Sequence, residues 1–274
     1  MMAQIIDRRQ LKAEMKEMLR TAQVSPRAMV ALYMFILLVM NLADAAASLN
    51  LADGAGSLMS TFVSILVSLM GTVLFAGFVQ YCMAVRRSER VEFASLFDGF
   101  SFAGKLIALD IMITVFVGLW SMLFVIPGII ASYRYRFAVY NLCENPNLSI
   151  WEALNMSKEQ TRGYKTQLFL LDLSYVGWTF LATIPSSIFS LYASYQSAAS
   201  MFGFSGPALA MSIPLLAQIL VAGVWDLVVS MFYLAVFQST ELGYFDIAKS
   251  TSGIGAGYRS STWDSHGPDD LGGL

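Results

Sequence analysis

An all-α, polytopic membrane protein is the fold class this sequence predicts, and three observations carry the prediction. Of its 274 residues 57% are hydrophobic and 13% are charged, against roughly 45–50% and about 25% in soluble domains. The apolar residues come in blocks long enough to cross a bilayer, which takes about 20 helical residues. The lysines and arginines crowd into alternate connections between those blocks, the pattern of helices threaded through a membrane with the positive side inside. A mean hydropathy of +0.61 agrees. The net charge of −2 leaves no dominant basic surface for nucleic acid. Two cysteines, Cys82 and Cys143, are too few for a disulfide framework and are expected as reduced, buried thiols.

Residues 1–25 are expected to form a cytoplasmic amphipathic helix. Leu11, Met15, Met18, Leu19 and Ala22 share one face, and Arg8, Arg9, Lys12 and Lys16 fall largely elsewhere. Such a helix either lies on the membrane surface or packs on the domain. No short apolar core with a small-residue cleavage site follows these charges, so no cleavable leader is expected.

Five apolar blocks follow, at 28–47, 58–85, 106–141, 166–189 and 208–237. The third is too long for one crossing at about 1.5 Å of rise per residue. With the basic N-terminus inside, a single crossing there would strand Lys158, Arg162 and Lys165 outside. A turn at Pro127-Gly128, inside WSMLFVIPGIIASYRYRFAVYN, returns them to the cytoplasm. Proline starts a helix readily and interrupts one internally. The prediction is six transmembrane helices in a domain spanning 26–247, with both termini cytoplasmic. The spans fall at about 28–47, 58–85, 106–126, 128–143, 166–189 and 208–237. The two external loops, 48–57 and 190–207, then contain no lysine or arginine.

Between the fourth and fifth spans, Asn145-Pro146 ends a helix. Ser149 with Glu152 forms a capping box that starts an interfacial amphipathic helix over 149–163, with Gly163 as its stop or bend. The segment 248–274, rich in Ser and Gly and ending acidic, is expected to be a disordered cytoplasmic tail.

The strings IPGII, Tyr133-Arg134-Tyr135 and NPNLSIWEALNMSKEQTRGYKTQLFLLDLSYVGW, with LKAEMKEML and FYLAVFQ further out, are similar to a bacterial membrane family. That family is catalogued as domain of unknown function 975. The resemblance runs from about Leu11 to Phe245 and is densest between Leu96 and Trp178. It implies a polytopic helical protein of bacterial or archaeal cytoplasmic membranes and transfers no catalytic residue.

Charges inside predicted spans are expensive and usually pair. Asp110, Arg134 and Asp172 fall at similar depth in the cytoplasmic half, so Arg134 is expected to pair with Asp110 or Asp172. Tyr133, Tyr135 and Ser174 are the available hydrogen-bond partners. This cluster either takes an anionic ligand or is a structural salt bridge. Arg136, about 200° around the helix from Arg134, is expected to snorkel to the headgroups. Asp226 sits nearer the bilayer middle. Ser60, Ser64, Ser68, Thr72 and Ala76 form a small-residue packing stripe, suited to an intramolecular neighbour or to a homodimer.

Enzyme motifs are missing. Gly203-Phe204-Ser205-Gly206 matches an intramembrane serine protease string, yet the one histidine, His266, lies in the tail. There is no HExxH, no phosphate loop and no GxGxxG. No cofactor, no metal and no catalytic activity are expected. The expected role is a structural or accessory membrane component whose partners are the lipid bilayer and a membrane protein or second copy. The alternative is a small-solute or ion transporter using the Arg134 cluster, its ligand unknown.

Overall fold

The computed structural model describes residues 6–50, 55–201 and 215–255. Nine α-helices and one 3₁₀ helix are present among them, with no strand. They are α1 (Arg8–Arg20), α2 (Pro26–Asn50), α3 (Ala55–Arg86), the 3₁₀ helix (Phe93–Phe102), α4 (Ala103–Leu123), α5 (Val125–Tyr135), α6 (Ala138–Glu144), α7 (Ile150–Gln160), α8 (Lys165–Met201) and α9 (Leu215–Ser252). The 203–206 string, His266 and the tail beyond Gly255 lie outside the described residues.

Five stretches are long and apolar enough to cross a membrane: Pro26–Ser48, Leu58–Arg86, Phe93–Leu123, Lys165–Tyr195 and Leu215–Ser252. The predicted fourth span, 128–143, is not one helix. It is α5 and α6, separated by Arg136 and Phe137. The turn into it also differs from expectation. The extended residue is Phe124 (φ −156°, ψ 145°), and Pro127-Gly128 lies in the first turn of α5. Proline is tolerated there because its missing N–H would have had no helical partner. Gly128 makes the hairpin tight: a Cβ at that position would sit 2.0 Å from Ser121 Oγ and 2.8 Å from Ser121 Cα on α4.

The break between α5 and α6 leaves backbone groups that need partners, and α7 supplies them. The Phe137 N–H donates to Ser157 Oγ at 3.1 Å, and the Ser157 hydroxyl donates to the Arg134 carbonyl at 2.9 Å. Ser157 is wholly buried. The helix carrying it begins as expected, with the Ser149–Glu152 capping box fully formed. Hydrogen bonds from Ser149 hold the Glu152 carboxyl below the usual carboxylate range, so the box contributes above that lowered value and is lost as pH falls through it. Gly163 (φ 89°) makes the left-handed turn beyond the helix.

Burial divides the bundle into two zones. A belt of exposed apolar side chains includes Phe62, Ile65, Ile111, Leu119, Ile184, Ile188, Val224 and Val228. Beyond it lies a packed head holding the second half of α3, α6, α7 and residues 238–249 of α9, with Tyr81, Phe78, Phe137, Leu154 and Phe245 almost completely buried. Helix α9, at 38 residues, is roughly 57 Å long, nearly twice the hydrocarbon thickness of about 30 Å. The chain expected to begin a disordered tail at 248 is therefore still helix. Lys249 is buried and pairs with Glu144, and the Ile254 carbonyl accepts from Gln160.

Two glycines let the 3₁₀ helix press its backbone onto α3. A Cβ on Gly77 would lie 1.9 Å from the Leu96 carbonyl oxygen, and one on Gly99 would lie 2.5 Å from that of Val73. Leu96, Gly99 and Phe102 are the buried residues of the segment, and their spacing of three matches three residues per 3₁₀ turn. Three of the five residues in the stripe named from sequence are engaged within the chain. Ser64 donates to Asp44 of α2 at 2.7 Å, Thr72 to Asp110 of α4 at 3.2 Å, and Ala76 is buried. Helix α1 packs on the bundle: Leu11, Met15 and Leu19 are buried, Arg8 Nη1 donates to the Leu170 carbonyl at 2.8 Å, and Lys12 Nζ donates to Ser174 Oγ at 2.7 Å.

Replacing Gly77 by Ala is expected to lower stability by about 1–3 kcal/mol through overpacking. Gly118→Ala, where an added Cβ meets nothing within 4 Å, should be neutral or gain about 0.5–1 kcal/mol. Thermal or denaturant unfolding of the two purified variants checks the difference.

Candidate functional site

Of the charges expected to cluster inside the bundle, Asp172 alone is drawn into an ion pair, and its partner is a different arginine. Arg136, at the break after α5, reaches two carboxylates from two long helices. Its Nη1 and Nη2 donate to Asp172 of α8 at 2.6 and 2.9 Å, and its Nε and Nη2 donate to Glu241 of α9 at 2.5 and 3.0 Å. Four hydrogen bonds use most of the five donors a guanidinium carries. Tyr133 completes the far side, its hydroxyl donating to Asp172 Oδ2 at 2.7 Å and its ring 5.5 Å from the guanidinium carbon. The Glu241 side chain is 3% exposed, those of Arg136 and Asp172 23% and 29%. Gln238, one turn before Glu241, donates to the buried Tyr140 hydroxyl at 2.9 Å.

The expected pairing of Arg134 with Asp110 or Asp172 is thus corrected. The Arg134 side chain is exposed, and its carbonyl serves the helix break. Asp110 takes the Thr72 hydroxyl instead. Arg136, expected at the headgroups, is the clamped residue. Tyr135 is buried, stacked on Phe116 with ring centroids 5.9 Å apart, and is not part of the cluster. Tyr133 and Asp172 are. Depth counted along a continuous helix chose the wrong arginine because the helix stops at Tyr135. Glu241 was missed because it follows the last apolar block. The spacing of Leu242, Phe245 and Ala248, all buried, was the available sign that the helix continues.

A second network anchors the end of α6. Glu144 pairs with Arg87, just past the end of α3, at 2.9 Å and with Lys249 of α9 at 2.5 Å. Beside it Arg86 pairs with Asp246 at 2.5 Å and donates to the Ser239 carbonyl. The buried amides of Asn141 and Gln160 bond each other reciprocally at 2.8 and 2.9 Å, joining α6 to α7. Cys82 and Cys143 are free and buried. Among the described residues, no group of three or more His, Cys, Asp or Glu is placed to hold a metal.

Long apolar helices, a belt of exposed hydrophobic side chains and a charged cluster closed on itself place the chain among all-helical membrane proteins. Residues 122–204 match the model of a family described as Protein of unknown function (DUF975), so the resemblance read from the sequence holds over that segment. The match takes in α5 to α8, and with them Arg136 and Asp172, but not Glu241. No curated protein and no solved structure matches the chain.

Arg136→Gln should destabilise by on the order of 3 kcal/mol, since it leaves two carboxylates without their cation. Arg134→Gln should stay within about 0.5 kcal/mol of the parent, as exposed substitutions do. Unfolding temperatures of the two variants in the same detergent decide it.

Proposed function

We propose that the protein is a non-catalytic, structural or accessory component of the bacterial cytoplasmic membrane, crossing it six times with both termini on the cytoplasmic side. The sixth passage is the return through α5 and α6. Support for the return comes from Glu144, which at the end of α6 meets Arg87 at the end of α3 and Lys249 near the end of α9. Helix α4 departs from the side on which α3 ends, so α5 and α6 together bring the chain back. Docking of α1 on α9 puts the N-terminal helix at that same end. Positive charge crowds there, which by the positive-inside rule makes it cytoplasmic.

The observation that carries the functional reading is the saturation of Arg136. Four of its donors are spent on two carboxylates of the same chain, leaving little with which to bind an anion or pass one on. We read the cluster as a clamp that locks α5, α8 and α9 together under a rigid cytoplasmic head, suited to holding a membrane-protein partner. A transporter built on Arg134 has less support, because that side chain is exposed and the two carboxylates are paired with Arg136.

Two experiments test this reading. A clamp requires that Arg136→Gln, Asp172→Asn and Glu241→Gln each lower the unfolding temperature, with Arg136→Gln/Glu241→Gln falling well short of the summed losses. Additive losses would remove the clamp. For the topology, a thiol reagent that cannot cross membranes should label Ser190→Cys in intact cells and Ser252→Cys only after lysis. The reverse pattern would overturn the topology, by removing the return passage or inverting the protein, and labelling of both in intact cells would mean that α9 does not cross.

A further inference from the structure

A separate cavity lies between α2, α8 and α9, away from the clamp and within the apolar belt, with a volume of about 510 Å³. Its polar lining comes from Asn41, Asp44 and Ser48 on α2, Thr183 and Ser186 on α8, and Asp226 on α9. Asp226 stands eleven residues into α9, roughly 16 Å from its start and toward the end opposite the basic head.

The hydrogen-bond directions give the cavity a definite polarity. Asn41 Nδ2 donates to the Leu37 carbonyl at 2.8 Å, Ser48 Oγ to Ala45 at 2.8 Å, Thr183 Oγ1 to Thr179 at 3.1 Å and Ser186 Oγ to Thr183 at 2.9 Å. Each hydroxyl spends its one proton on its own helix, leaving oxygen lone pairs for the cavity, and Asn41 keeps its Oδ1 acceptor together with one amide N–H. The two carboxylates are acceptors as well. Asp44 takes the Ser64 hydroxyl and Asp226 the Ser230 hydroxyl, and neither is ion-paired among the described residues. Among the described residues the lining contains no lysine, arginine or histidine. Carboxylates inside a membrane cost several kcal/mol without a countercharge, and the described residues provide none here.

The walls are also held in place. Pro185 inside α8 has no N–H to give the Leu181 carbonyl. Trp225, beside Asp226 on α9, donates its indole N–H to that carbonyl at 2.8 Å and ties the two helices at cavity level.

We propose that this cavity binds a small organic ammonium ion, whose N–H groups meet the ring of acceptors while its carbon chain lies on aliphatic walls such as Leu37 and Ile219. The volume and those walls favour an alkylammonium over a bare inorganic cation. The site is independent of the clamp and stands or falls separately from it.

The test uses the purified full chain in detergent, with butylammonium chloride as probe and sodium chloride at equal ionic strength as control. Butylammonium should raise the unfolding temperature saturably, as a ligand of the folded state does, and sodium should not. Asp44→Asn and Asp226→Asn should fold and lose the rise. Equal stabilisation by sodium, or an undiminished rise in both variants, would overturn the proposal. Should either variant fail to fold, Ser186→Cys gives an independent reading. A cationic methanethiosulfonate should modify it roughly tenfold faster than an anionic one, given the focusing of potential in an acidic cleft, and butylammonium should slow the reaction. Equal rates for the two reagents, or no protection, would count against the site.

Discussion

The guanidinium of Arg136 is the constraint around which the rest of the structure is arranged. It sits where the exposed apolar belt meets the buried head, and a cation there must be compensated at close range. Compensation comes from Asp172 and Glu241, 36 and 105 positions away in sequence. Bringing three chain segments to one point fixes where α8 and α9 lie against α5. Placing the arginine at a helix break costs backbone hydrogen bonds, which Ser157 restores from α7. Helix α7 in turn is started by its capping box and held to α6 by the Asn141–Gln160 amide pair. Each step satisfies a polar group exposed by the one before, as a low-dielectric interior requires.

The two zones of the bundle solve different problems. In the belt, lipid tails are as apolar as the side chains, so helices gain little by burying them against one another. Leu119 and Ile188 can remain exposed to the hydrocarbon. In the head, water is the competing solvent, and the same chain packs Tyr81, Phe137 and Phe245 to near-complete burial. Gly77 and Gly99 admit backbone against backbone at the border of the zones. The clamp closes the junction and the cavity opens in the belt, so rigidity and the acceptor-lined space occupy separate places.

Features set by neighbouring residues were legible. The Ser149–Glu152 box, the helix end before Asn145-Pro146, the apolar face of Leu11, Met15 and Leu19, and the turn at Gly163 all depend on contacts within a few positions. The features misread share a longer range. Pro127-Gly128 marked the hairpin, yet the extended residue proved to be Phe124, because the tightness of that turn depends on Ser121 meeting Gly128 across it. Arg134 was favoured over Arg136 on the assumption of an unbroken helix. Helix α9 runs to Ser252 past the last apolar block because Gln238, Glu241 and Lys249 find partners on other helices, which hydropathy cannot register.

Hydropathy and charge placement along the chain were sufficient for an all-helical, membrane-type protein, because partition into lipid is close to a sum over individual residues. The capping and turn chemistry was sufficient for the surface helices, because those hydrogen bonds close locally. Which arginine is clamped, that residues 125–144 form two short helices, and where a cavity opens were decided only by the tertiary structure. Each depends on the distance between groups far apart in the chain, and pairing energy in a low dielectric changes steeply with that distance.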